Sequence, residues 1–298
     1  MSAVKTQVCN GGMANPSNCI MPYLKATVPT TALYEIRPIP GKGLGVIAIV
    51  DIEAGTRLLH ETPVMTALKD DPFEIYQAFI AMNHLNQHRY LELHAAPNQV
   101  TAILPAIDDD VPSTLRYQIA KIAAIFATNC FNIPESEISS KRQNGNEDDE
   151  IIAGICLTAV RFNHSCTPNV AQTWTNDNKS IIMHALTFIK AGTELCDSYC
   201  ELLAPRSERQ EELRAYGFEC SCVACDFRNI TFPYIENRRK ELQRLTRDLT
   251  FWKISREVGL FGPLSASISR KDGVRKTTET VIQLLQKENL QGHDLKNW

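Results

Sequence analysis

The stretch RFNHSCTPNV, residues 161–170, gathers arginine, asparagine, histidine, serine and cysteine directly after the apolar, β-branched run IIAGICLTAV. A strand that runs into amide, imidazole and thiol groups has the inventory of a site rather than of a core. Further along, CSCVAC sets Cys220, Cys222 and Cys225 in C-x-C-x-x-C spacing. Three thiols this close are more than loop packing requires, and structural zinc takes four ligands in a tetrahedron. Cys166, beside the Asn-His pair, is the candidate for the fourth. The plainer alternative, merely clustered buried thiols, leaves that spacing unexplained. Cys196 and Cys200 read as small buried apolar residues, and Cys9, Cys19, Cys130 and Cys156 carry no metal-like spacing.

Other chemistry-bearing patterns fail on context. Gly43-Leu44-Gly45-Val46-Ile47-Ala48 satisfies G-x-G-x-x-A, and Glu61 stands near the place of an acidic ribose partner. Pro38 and Pro40 break the preceding strand, however, and the β-branched VIAIVDIEAG that follows is no helix. What remains is a glycine-rich turn that lets backbone approach a ligand closely. His84 and His88 fall at i, i+4, but Leu85 occupies the glutamate position of H-E-x-x-H, so they read as solvated surface histidines. His164 and Cys166 share a face of a strand, yet no third group is placed to orient a Cys-His nucleophile pair. A zinc hydrolase would need an open metal position and a general base, and neither is legible.

These residues need elements to hold them. From Leu33 to about Ala67 the chain alternates β-branched residues with Gly and Pro, predicting strands. DPFEIYQAFIAMNHLNQHRYLELHA and STLRYQIAKIAAIFATNCF carry apolar residues at helical spacing. SSKRQNGNEDDE reads as a polar, mobile loop, its acidic run solvated. Strands return in IIMHALTFIKAGTELCDSY, turning at Ala191-Gly192, and a helix, RSERQEELRAYGF, leads into the cysteines. From Thr231 the tail predicts two or three helices. Strands, helical insert, strands, then helices is an α+β order rather than α/β.

Composition sets the frame. With 298 residues, 44% hydrophobic and 22% charged, the chain can bury a real core. A net charge of −3 gives no broad grip on nucleic acid, and sequence-specific binding to it is not expected. No apolar run approaches a membrane span. The opening MSAVKTQVCNGGMANPSNCI has no apolar leader, and ten cysteines without one indicate a reducing, intracellular compartment, nucleus or cytoplasm.

Four pieces stand in a fixed order: GKGLG, RFNHSCTPN, GTELCDSY and CSCVAC. In order and wording they resemble the SET-domain protein lysine methyltransferases, most closely the SET-and-MYND branch and its fungal relatives, over roughly residues 33–226. The resemblance implies a SET fold of several small β-sheets, with a flexible arm at 1–32 and the SET domain at 33–200. It further implies a helical insert at about 70–153, a zinc-bound post-SET segment at 201–228 and a helical tail at 229–298. It implies transfer of a methyl group from S-adenosylmethionine to a lysine amine of a protein or peptide, by a monomer. The cofactor would be held by main chain at Lys42 and Leu44, by Asn129, and by Asn163 and His164. Tyr199 would face the transferring methyl as the catalytic tyrosine. Tyr216 and Phe218 would wall the adenine and lysine pockets. Cys166, Cys220, Cys222 and Cys225 would be the zinc ligands, a closed structural set with no position for water.

Departures from the family pattern limit what carries over. No MYND zinc finger interrupts residues 53–70. Thr193 replaces the first glutamate of the usual Gly-Glu-Glu turn, with Glu194 as the second, and the tail is far shorter than in the larger relatives. Asp197 stands where many histone enzymes have the Phe or Tyr that governs how many methyls are added. Substrate and degree of methylation are therefore open. A scaffold that has lost catalysis is the alternative, and intact Asn163, His164 and Tyr199 argue against it. Methyl transfer from a sulfonium to an amine relies on positioning, and an aromatic channel favours the neutral amine by desolvation.

Overall fold

A computed structural model describes residues 32–134, 151–175, 179–257, 268–288 and 290, without the side chains of 251–257 and 268–274. Nearly all of the expected N-terminal arm, and the whole of SSKRQNGNEDDE, lie outside these residues. The described residues from Leu33 on form one unit.

The strands make three small sheets. In the first, β1 (Tyr34–Ile39) and β2 (Gly43–Ala48) form a hairpin, followed by β10 (Glu194–Asp197) and β7 (Asn163–His164). Its turn needs backbone that favours glycine, supplied by Gly41 and Gly43 at φ +75° and +72°. The second sheet orders β3 (Arg57–Glu61), β9 (Ser180–Ala185) and β8 (Val170–Thr175). The third orders β4 (Met65–Leu68), β6 (Ile152–Ile155) and the short β5 (Phe131–Asn132). Val46, Ile52, Phe162, Val170, Ile181 and Leu195 are buried in one core between the first two sheets.

Four helices lie between β4 and β5: α1 (Pro72–Ala81), α2 (His84–Leu91), α3 (Gln99–Ile103) and α4 (Ser113–Asn129). The helical stretch beginning at Asp71 is therefore two helices rather than one. Asp71 caps α1, accepting from the Phe73 and Glu74 N–H groups, with Pro72 at the first helical position. The chain then turns extended at Met82 and Asn83, and the Asn83 side chain caps α2 through the Asn86 N–H. Gln87 returns its amide to the carbonyls of Phe79, Ile80 and Met82, closing the end of α1. Tyr90 anchors α2 on α4, its hydroxyl donating to the Ile122 carbonyl at 2.8 Å and its ring 5.2 Å from Phe79. Fully burying a large side chain such as Phe126 stabilises by about 1.5–3 kcal/mol, and α4 lines up several, ending at Asn129.

After β10, α5 (Arg206–Leu213) carries the chain to the cysteines, and α6 (Phe232–Glu257) and α7 (Ile268–Glu288) form the tail. Leu242, Leu245, Leu249 and Leu285 pack with Leu213, Ala224 and the cysteine sulfurs in one cluster. The tail is thus built onto the cysteine segment, as two helices among the described residues.

Candidate active site

Residues 161–170 run with alternating burial: Phe162, His164, Cys166, Pro168 and Val170 are inward and the intervening residues half-exposed. The motif reads as extended chain with two faces. β7 pairs in parallel with β10, setting Cys196 opposite Asn163 and Asp197 opposite His164. Asn169 reinforces the pairing: its amide donates to the Glu194 carbonyl and its oxygen accepts from the Cys196 N–H, both at 2.8 Å. It stands inside the quoted motif, yet sequence reasoning gave it no role, because its partners lie on a strand remote in sequence.

The two faces build two halves of a site. On one, the Asn163 amide donates to Glu194 at 2.9 Å and to the Leu44 carbonyl at 3.2 Å, and Lys42 pairs with the other Glu194 oxygen at 2.7 Å. Burial is the largest influence on Lys42 and works against its charge, but the bond to Glu194 together with the charges of Cys196, Glu194 and Cys220 outweighs it and the pKa is raised. A Cβ on Gly45 would lie 2.6 Å from Asn163 Nδ2 and from Ile39. At Gly45 the close approach is to Asn163. Both Asn163 and Asn129 have committed their amide nitrogens, the latter to His94 and Ile125 carbonyls at 2.7 Å. What each can offer a ligand is its oxygen, an acceptor.

On the inward face, His164 Nδ1 accepts from the Tyr199 N–H at 3.0 Å, which leaves Nε2 as the N–H facing Cys166 sulfur at 3.3 Å. His164 thus links the two halves through its ring, leaving ring face and main chain for a ligand. Tyr199 packs 4.9 Å from Tyr216 and 5.4 Å from His164, and Phe218 closes on Tyr199 and His164. The Tyr199 hydroxyl donates to the Phe162 carbonyl at 2.7 Å. Burial, then the Asp197 charge, raises its pKa, so it stays a neutral phenol with oxygen lone pairs to offer.

Behind it, Cys166, Cys220, Cys222 and Cys225 bring their sulfurs within 4.8 Å of one another. Cys166 lies 3.4 Å from Cys225 and 4.0 Å from Cys220. Zinc–sulfur bonds of about 2.3 Å give a tetrahedral edge of about 3.8 Å, so these spacings suit the metal. The hydrogen bonds among the four thiols split the set: Cys166 and Cys220 are raised, Cys222 is held well below the ordinary thiol range, and Cys166 and Cys220 lower Cys225 to about 6. Fully buried Arg209 donates to the Cys166 and Cys225 sulfurs at 3.3 and 3.5 Å and to two carbonyls, and meets no carboxylate among the described residues. A guanidinium buried against sulfur fits thiolates rather than thiols. Nothing in the sequence of α5 marked it, since charged residues surround it there. Cys200 is half-buried, its sulfur within 4.8 Å of His164 and Cys166, closer to the cluster than its reading as an apolar filler implied.

The Lys42–Glu194–Asn163 network, Asn129, His164 and the rings around Tyr199 border one cleft of about 1760 Å³, which Cys166, Cys225 and Arg209 do not line. Lys42, Leu44, Asn129, Asn163, His164, Tyr199, Tyr216 and Phe218 line it, with Cys220 and Cys222 at its edge. The other patterns resolve structurally. His84 is exposed and His88 pairs with Glu92 on the surface. The Glu61 carboxylate accepts from the Thr158 and Ala159 N–H groups, far from any ribose role.

Residues 43–200 match the SET domain family, and the chain belongs to that family. Among its relatives, it is similar to the histone-lysine N-methyltransferase set5 of Schizosaccharomyces pombe, 30% identical over 221 residues, 74% of this chain and 59% of that protein. It is similar to mouse histone-lysine N-methyltransferase SMYD3, 31% identical over 108 residues, 36% of this chain and 22% of that one. Human N-lysine methyltransferase SMYD2 is 33% identical over 97 residues, 31% of this chain and 22% of that one. The chain spans about three fifths of the length of the fission-yeast relative.

Proposed function

We propose that this chain transfers a methyl group from S-adenosylmethionine to the side-chain amine of a protein lysine, histone or non-histone. The observation that carries the reading is convergence on one cleft of the Asn163–Glu194–Lys42 network, the Asn129 oxygen and the ring cluster around Tyr199. At about 1760 Å³ the cleft exceeds the roughly 300–1,000 Å³ of a single small-ligand pocket. It has room for a cofactor and a side chain entering separately.

The roles follow from which atoms are uncommitted. The Asn129 and Asn163 oxygens are acceptors for an ammonium such as the cofactor's methionine end. The β1–β2 turn at Lys42 and Leu44 and the main chain at His164 border the rest of the cofactor, with Phe218 as an apolar wall. When bound, the cofactor supplies a sulfonium-activated methyl, so the protein needs no nucleophile of its own. Tyr199 and Tyr216 form a channel that desolvates an entering amine, and the neutral Tyr199 hydroxyl orients it. Zinc in the four-cysteine set would be structural, tying residues 201–228 to the strand that bears Asn163 and His164. We assign the protein as a monomer acting on a protein or peptide.

The test is transfer of isotopically labelled methyl to recombinant core histones and to the chain's own lysines, read by mass spectrometry. Label on lysine is expected. Cofactor binding with no transfer to any acceptor would instead leave a scaffold.

A further inference from the structure

One buried carboxyl group in the cleft is unused by these networks. Asp197 ends β10 two residues before Tyr199, borders the cleft and is only 3% exposed. Its main-chain carbonyl is taken by the Ser165 N–H, and its side chain accepts the neighbouring Ser198 N–H. Glu194, on the same strand, meets Lys42 and Asn163, whereas Asp197 forms no ion pair among the described residues. Asp197 pairs with His164 across the strands and borders the same cleft as Tyr199 and Tyr216; burial, and then the Asp197 charge, raises the Tyr199 pKa. A buried carboxylate without a cation is destabilising, and a ligand that brings the missing charge relieves it.

We propose that Asp197 is the counter-ion and proton acceptor for the substrate lysine in this cleft. This rests on the methyltransferase reading above. A lysine enters as an ammonium, whose nitrogen has no lone pair to give. In water a carboxylate would not take its proton, but in the channel burial penalises both charges and moving one proton cancels both. Burial, partly offset by the bond from the Ser198 N–H, raises the Asp197 carboxyl to about 7, the direction that favours taking a proton. The Tyr199 phenol, kept neutral, cannot serve as the base. The step balances: the ammonium proton passes to Asp197, giving amine and carboxylic acid. The amine nitrogen then bonds to the methyl carbon as the carbon–sulfur bond breaks, its electron pair staying on sulfur. The products are a methylammonium and a neutral thioether, and Asp197 returns its proton to water.

The test needs no known protein substrate. It compares binding of S-adenosylhomocysteine with that of a cofactor analogue carrying a primary amine in place of the methylsulfonium, in wild type and Asp197→Asn. The isosteric change should lower the preference for the amine analogue at least fivefold, leaving S-adenosylhomocysteine affinity within twofold. It should also slow single-turnover automethylation at least tenfold. An unchanged preference together with a rate within threefold of wild type overturns the proposal. Wild type that binds neither ligand overturns the cofactor reading itself, and this inference with it. Should the Asn variant fail to fold, Asp197→Ser is held to the same limits.

Discussion

Asp197 shows at residue scale how a site residue costs stability. Its carboxyl is raised by burial from 3.8 to about 7, so the folded state binds its proton more tightly than the unfolded chain does. Its stabilising contribution is full below pH 4 and lost as pH rises through 7. Asp197→Asn should therefore be more stable than wild type at pH 8, by on the order of a few kcal/mol, with the gap closing near pH 4–5. Denaturant unfolding at the two pH values measures this, and an equal gap at both would contradict it. Legibility at this scale followed locality. Asn163, His164 and Cys166 stood out because polar groups and a thiol follow directly on an apolar run, and the C-x-C-x-x-C spacing carries its own ligand geometry. Asn169 and Arg209 did not, because their roles come from partners on other elements: the β10 main chain and two cysteine sulfurs.

At the scale of elements, the hairpin and the Asn-His strand are fitted to one another at Gly45. Strand alternation and glycine punctuation made the β1–β2 region readable, but β1 runs through Pro38, paired with Leu44 on the sheet's edge, where the prolines were expected to break it. That Gly45 serves its neighbour Asn163 depends on sheet order, which pattern alone does not specify. Gly45→Ala places a methyl 2.6 Å from both Asn163 Nδ2 and Ile39. The expected outcome is a loss of about 1–3 kcal/mol from overpacking. Displacing Asn163 should also weaken cofactor binding about tenfold, the worth of one hydrogen bond to a charged group. Calorimetry on the folded variant checks it, with unchanged affinity as the contrary result. The α1–α2 break was hidden for a similar reason: apolar spacing continues through Met82-Asn83, and only the Asn83 cap and the Gln87 return bonds make two helices the better solution.

Across the whole molecule, the tail, the cysteines and the cleft form one connected structure. Arg239, fully buried on α6, donates to the Cys166 and Leu202 carbonyls at 2.7 and 2.6 Å, and Glu288 at the end of α7 meets it at 3.3 Å. Glu288 also holds Arg238. Glu288→Gln should cost about 3 kcal/mol, since it leaves a buried guanidinium without its carboxylate. It should also speed zinc loss to a chelator, because Arg239 secures the carbonyl of Cys166. Metal analysis finding no zinc in the purified protein, or a Gln variant as stable as wild type, would undo this picture. Helical spacing predicted the tail, but its attachment through two arginines and one glutamate becomes visible only once the helices pack. The central claim is that Tyr199 acts through its hydroxyl at the transferring methyl. Its most direct test is single-turnover methyl transfer by Tyr199→Phe, with zinc content and cofactor affinity measured alongside. The ring and its packing survive that change, so both should stay close to wild type, while the rate falls about 10²–10³-fold. A rate within threefold of wild type would contradict the claim.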